Sequence, residues 1–140
     1  MAKKGEILLD KTVEGLRFVV VQGPASLCAY VELPKEHPLY GRRWSEEVVK
    51  AIKVHGNVTY SERNLPKAEG GEKWWLGWDY AHGGDRMMVA EDVSPTMQKS
   101  FAILGDEMGG IVWTAAAVEQ DSREGLKQIG SMSAKSKGGK

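Results

Sequence analysis

Two runs of β-forming residues, Leu16–Gln22 and Leu27–Leu33, stand only four residues apart. The first reads Leu-Arg-Phe-Val-Val-Val-Gln, and its β-branched and aromatic side chains suit a pleated, half-buried surface. Between the runs lies Gly23-Pro24-Ala25-Ser26, a turn by composition. Strand, short turn and strand can close only as an antiparallel hairpin, because parallel strands need a crossover of a dozen or more residues. The chain is therefore built on an antiparallel sheet.

A second constraint comes near the C-terminus. In Trp113–Ile129 the residues Ala115, Val118, Ser122, Leu126 and Ile129 recur at helical spacing, while Glu119, Gln120, Arg123, Glu124 and Lys127 fall on the other side. Thr114 is placed to cap this helix and Gly130 to end it. The expected fold class is α+β: a small antiparallel sheet packed against a C-terminal helix, with one or two short additional helices. Further strands are expected at Gly5–Asp10, Val58–Tyr60, Trp74–Asp79 and Met87–Ala90. The short helices are expected after a Ser45 cap, through Lys50, and from about Pro95 to Leu104. Residues 1–130 form one domain in this reading, and the small, basic, aperiodic residues 131–140 form a disordered tail.

Charge narrows the partners. Nineteen basic and nineteen acidic residues balance to zero, which argues against nucleic acid and anionic membrane as partners. No run approaches the roughly 20 apolar residues of a membrane-spanning helix. A single cysteine, Cys28, lies in an apolar run and reads as an inert core thiol. These features suit a cytosolic protein.

Chemistry concentrates in Trp74–Asp85. On a strand Trp74, Leu76 and Trp78 share one face, and Trp75, Gly77 and Asp79 share the other. The first face is apolar and belongs to a core. The second offers a ring, a gap and a carboxylate: Trp75 would stack on a flat ligand, Gly77 would admit it closely, and Asp79 would accept its hydrogen bonds. His82 follows, between Asp79 and Asp85. Imidazole and carboxylate suit acid–base work or a divalent metal, so a divalent metal is a candidate cofactor. Turn and capping hydrogen bonds explain the same residues without a site. His55 would reach the cluster if its segment pairs with the tryptophan strand. Candidate catalytic residues are thus His82, Asp79 and His55; candidate ligand-binding residues are Trp75, Tyr60, Ser61, Asp85 and Arg86.

Three blocks in this order carry a resemblance: His37-Pro38-Leu39-Tyr40-Gly41, Val54–Ser61 and Trp74–Asp85. The chain resembles a family of small phage and prophage proteins with the pattern HPxYG…VHGGxTYS…WWxGFDxAHxGD. Asn57 stands where that pattern has a second glycine, and Trp78 where it has phenylalanine. The resemblance spans about Leu27–Asp85, with weaker support from the helix after Trp113. It implies a phage origin and a role in host–phage conflict, and places His55, Tyr60, Ser61, Trp75, Asp79, His82 and Asp85 in one motif set.

Three functions are compatible with these residues. The first is binding of a small polar, nucleotide-like ligand in a pocket formed by His55–Ser61 and Trp74–Asp85. The second is a His/Asp hydrolase, with or without metal. The third is an anti-defence inhibitor of the anti-CRISPR type, contacting a host defence protein through the 61–73 loop, Arg42-Arg43 or the tail. Association into a homo-oligomer is compatible with all three.

Overall fold

The computed structural model describes residues 3–63, 73–81 and 113–138. Five strands form one antiparallel sheet: β1 (Ile7–Val13), β2 (Leu16–Gln22), β3 (Leu27–Leu33), β4 (Tyr60–Glu62) and β5 (Trp74–Asp79). Their order is β1-β2-β3-β5-β4, so β5 enters between β3 and the short edge strand β4. A four-residue helix, α1 (Glu47–Lys50), lies in the β3–β4 connection, and α2 (Ala115–Gly138) closes the described chain.

The β2–β3 hairpin forms at the expected boundaries, with Gln22 paired to Leu27 and the Gly23 amide donating to the Ser26 carbonyl at 2.7 Å. β1 is longer than its sequence suggested. It runs to Val13, which pairs with Leu16 across the two-residue turn Glu14-Gly15. Both turn residues have positive φ, 52° and 77°. That geometry matches the right-handed twist of a tight hairpin, and Glu14 is strained to provide it.

Alternation along the strands separates two faces. Leu16, Phe18, Val20, Leu27, Ala29, Val31, Leu33, Leu76 and Trp78 enter the main core. There they meet Leu39, Val49, Ile52 and Val58 from the β3–β4 connection and Val118, Leu126 and Ile129 from α2. Fully burying an aliphatic or aromatic side chain contributes roughly 1.5–3 kcal/mol, so this layer dominates the stability. On the opposite face a smaller cluster centres on Val19 and Trp75, flanked by Ile7, Val21, Tyr30 and Tyr60.

α2 lies across β1, β2 and β3. Its start agrees with the sequence: the Thr114 hydroxyl accepts the Ala117 amide at 3.1 Å. Its end does not. The helix continues through Gly130 to Gly138, where the sequence suggested a stop and a disordered tail. Gly130 serves close approach instead, because a Cβ there would stand 2.8 Å from the Glu14 carbonyl oxygen. The start of α1 also differs. Glu46, not Ser45, is its N-cap and makes no side-chain capping bond; its carboxylate accepts the Arg43 amide at 2.7 Å.

His37 ties the β3–β4 connection to the helix. Buried at 3% exposure, it accepts the Leu39 amide at Nδ1 (3.0 Å) and stands 2.9 Å from the Ile129 carbonyl at Nε2. A carbonyl can only accept, so Nε2 carries the proton and the ring is neutral. Burial pushes its pKa below the usual histidine range, opposed by the Ile129 bond. Gln128 adds a second tie, accepting the Lys53 amide and donating to the Ala51 carbonyl, both at 3.0 Å.

The strand expected at Met87–Ala90 and the helix expected from Pro95 to Leu104 lie outside the described residues. Among those described, no helix is long and apolar enough to cross a membrane.

Candidate functional site

β5 organises the site as its alternation implies, but the face carrying Trp75, Gly77 and Asp79 is not an open floor. Gly77 pairs with Tyr30 of β3 on one side and Tyr60 of β4 on the other. The Tyr30 ring lies across the glycine: a Cβ there would sit 2.5 Å from Tyr30 Cδ1. Tyr30 and Tyr60 then meet edge to face, with centroids 5.1 Å apart. The gap reserved for a ligand is filled from within. Cross-strand aromatic cover of a sheet glycine is a known way to pin register.

Trp75 is likewise not available for stacking. It is 2% exposed and packs on Val19. The Arg17 guanidinium lies over its ring, 5.7 Å from the centroid. Arg17 is anchored in turn by Asp10 at 2.8 Å and Glu32 at 3.5 Å. The Arg17 bond holds the Asp10 carboxyl below its usual range. This cluster is a structural cap on the second face.

Beside it a cleft remains, about 190 Å³ in volume, lined by Cys28, Tyr30, Thr59, Tyr60, Trp78 and Asp79. Strand register explains its composition. Cys28 pairs with Asp79 and Tyr30 with Gly77, while the Thr59 amide donates to the Gly77 carbonyl at 2.9 Å. Burial pushes the Cys28 thiol above its ordinary pKa; hydrogen bonds with Ser26 and Tyr30 oppose this and the Asp79 charge reinforces it. Tyr30 is driven up chiefly by burial, and Tyr60 by burial and the Glu62 charge. Burial thus favours the protonated forms of the thiol and of both phenols, and disfavours the thiolate that a nucleophile needs.

His55 was expected to reach the cluster of Asp79, His82 and Asp85; of these Asp79 is described, and His55 does not meet it. His55 lies on the helix side of the sheet, stacked on Tyr80 at 4.6 Å and 7°, with Trp113 edge-on at 5.3 Å. Tyr80 follows Asp79 but points to the opposite face, as strand alternation requires. Its hydroxyl donates to Asp121 at 2.8 Å and lies 3.1 Å from Ser122 Oγ. The sheet thus separates His55 from the Asp79 side chain. Ser61 is also elsewhere: its Oγ accepts the Trp44 amide at 3.0 Å and fixes the loop before α1. His82, Asp85 and Arg86 lie outside the described residues.

Of the candidates, Tyr60 and Asp79 come together in the cleft. Thr59 and Tyr30 join them without having been singled out, and Cys28, expected as a core thiol, is only partly buried and lines the cleft. For Tyr30 the available signal was its place in the β3 alternation, opposite in parity to Ala29 and Val31. Its meeting with Gly77 depends on β3 and β5 being neighbours. Among the described residues, no group of three or more His, Cys, Asp or Glu is arranged to hold a metal ion.

Compared with protein-family models, curated proteins and solved structures, the chain matches none.

Proposed function

We propose that this chain is a small-ligand-binding protein whose site is the cleft between Tyr30, Tyr60 and Asp79. The observation carrying this reading is the composition of that cleft among the described residues: phenol, thiol and threonine groups with the Asp79 carboxylate, over about 190 Å³. Its walls come from the two segments marked by sequence, Thr59-Tyr60 and Trp78-Asp79, together with β3. Pockets for drug-sized ligands are larger, about 300–1,000 Å³, so a single ring or head group is the appropriate size. The nucleotide-like ligand suggested by sequence narrows accordingly to a nucleobase or another small group bearing N–H donors. The resemblance to phage and prophage proteins supports a role in host–phage conflict, with the protein sequestering a small molecule.

A thermal-shift panel of nucleobases, nucleosides, nucleotides, amino acids and small amines tests this reading. A stabilising ligand whose effect is lost in Tyr60→Ala is the expected result. If no member stabilises the wild type, the reading fails.

A second reading, contact inhibition of a host defence protein, has its own support. Among the described residues, Trp44 and Val48 are the exposed large hydrophobics, at 48% and 43%, and Arg42 and Arg43 beside them are exposed. Tryptophan and arginine are the residues most enriched in interface hot spots. The backbone there is held by Ser61 and by the Trp74 indole, which donates to the Arg42 carbonyl at 2.9 Å. Loss of a host-side effect in Trp44→Ala, with Tyr60→Ala unaffected, would favour this reading over the first.

A further inference from the structure

We propose that His37 is an acid-sensitive latch that fastens the front of the β3–β4 connection to α2. The inference is independent of the cleft and concerns how the segment leading to Trp44 is held. Two turns fix the backbone around the residue: the His37 amide donates to the Pro34 carbonyl and the Tyr40 amide to the His37 carbonyl, both at 3.0 Å. The ring is 3% exposed. It donates from Nε2 to the Ile129 carbonyl at 2.9 Å and accepts the Leu39 amide at Nδ1 at 3.0 Å. One ring thus joins residues 92 positions apart and also satisfies a buried amide of its own loop.

That arrangement suits one protonation state. An imidazolium donates from both nitrogens. Its Nδ1 proton would face the Leu39 N–H, donor against donor, and Leu39 is itself buried. The ring would also carry a charge out of water. Burial accordingly lowers the affinity of the latched ring for a proton. It outweighs the two groups that act the other way, the Ile129 carbonyl from α2 and the Glu36 carboxylate from the ring's own loop. A released ring, in water, takes the proton more readily, so falling pH draws the equilibrium toward release.

Release is confined by bonds that do not titrate. Gln128 holds the rear of the connection through the Lys53 amide and the Ala51 carbonyl. Beyond the latch, the Arg42 carbonyl accepts the Trp74 indole N–H at 2.9 Å. α2 stays on the sheet through Val118 and Leu126 in the main core. Loss of the latch therefore frees the stretch from His37 to Tyr40 and leaves the sheet in place. That stretch runs into Arg42-Arg43-Trp44, so acid loosens the exposed Trp44 surface from one side.

Hydrogen exchange of the full, isotope-labelled chain tests this, read residue by residue by nuclear magnetic resonance between about pH 7.5 and about pH 4.5 and corrected for the intrinsic rate. Between the ordinary histidine value of 6.5 and the lower folded value, protection of the Leu39 amide should fall by up to ~10-fold per pH unit. Val20 and Ala29 in the sheet should keep theirs. His37→Gln offers an amide that accepts and donates without titrating, so its Leu39 protection should not change with pH. If that variant does not fold, the contrast between Leu39 and the sheet amides, with the His37 ring titrating in step, decides on the wild type. Leu39 protection that is constant across the range, or that falls only together with Val20 and Ala29, would overturn the proposal. The same pH dependence in His37→Gln would overturn it too.

Discussion

Tyr30 and Gly77 interlock across the β3–β5 pairing: the phenol ring occupies the space that a side chain at Gly77 would need, with Cδ1 2.5 Å from a Cβ built there. The same ring forms one wall of the cleft. Packing of the sheet and shape of the site are therefore coupled through one contact.

Gly77→Ala should consequently destabilise the fold by about 1–3 kcal/mol, the usual cost of forcing a methyl group into a packed position. Urea denaturation measures the loss. Combining it with Tyr30→Ala should recover part of the cost, since the clash is with that ring. A double variant whose losses simply add would show that the two residues are not coupled.

His37 predicts a pH dependence with a definite sign. Its folded pKa is depressed from 6.5, chiefly by burial. The unfolded chain therefore takes up the proton more readily, and stability rises with pH through that window. The contribution is fully present above about pH 6.5 and is lost as pH falls toward and through the lower folded pKa. Protonation would also place a donor at Nδ1, against the Leu39 amide it now accepts. The stability difference between wild type and His37→Ala should be larger at pH 7.5 than at pH 5, as read from denaturant midpoints. A difference independent of pH would show that the ring does not titrate with folding.

Tyr80 is fully buried, and its hydroxyl bonds to Asp121 and Ser122 while its ring stacks on His55. Tyr80→Phe keeps the ring and removes the hydroxyl. It should cost about 1–3 kcal/mol, because a bond to a carboxylate is lost and the buried Ser122 hydroxyl loses a partner. Tyr80→Leu should cost more, since the contacts with His55 and Trp113 are also removed. Guanidinium denaturation of both variants gives the ranking, and equal losses would show that the ring contacts contribute nothing measurable.

Local regularities were legible in the chain, and they account for most of the fold. β-branched and aromatic runs placed the strands Leu16–Gln22 and Leu27–Leu33, and alternation in Trp74–Asp79 assigned the two faces of that strand, because successive side chains on a strand must point to opposite sides. The three- and four-residue spacing after Thr114 placed the helix and its buried face. Gly130 misled, since a glycine needed for close approach to Glu14 looks the same in sequence as one that ends a helix.

What those regularities left open was everything set by neighbours distant in the chain. Alternation put Trp75, Gly77 and Asp79 on one face, but the strand order β1-β2-β3-β5-β4 decided what lies over them. That order brought Tyr30 and Tyr60 to Gly77, and the packing of the second face brought Arg17 over Trp75. It left Asp79 at a cleft and sent His55 to the other side with Tyr80 and Trp113. Side-chain direction is a local property of the backbone, and so the sequence by itself determined it. Whether a face stays open depends on contacts between residues 17 to 58 positions apart, from Tyr60 with Gly77 to Arg17 with Trp75, and only the tertiary structure decided those.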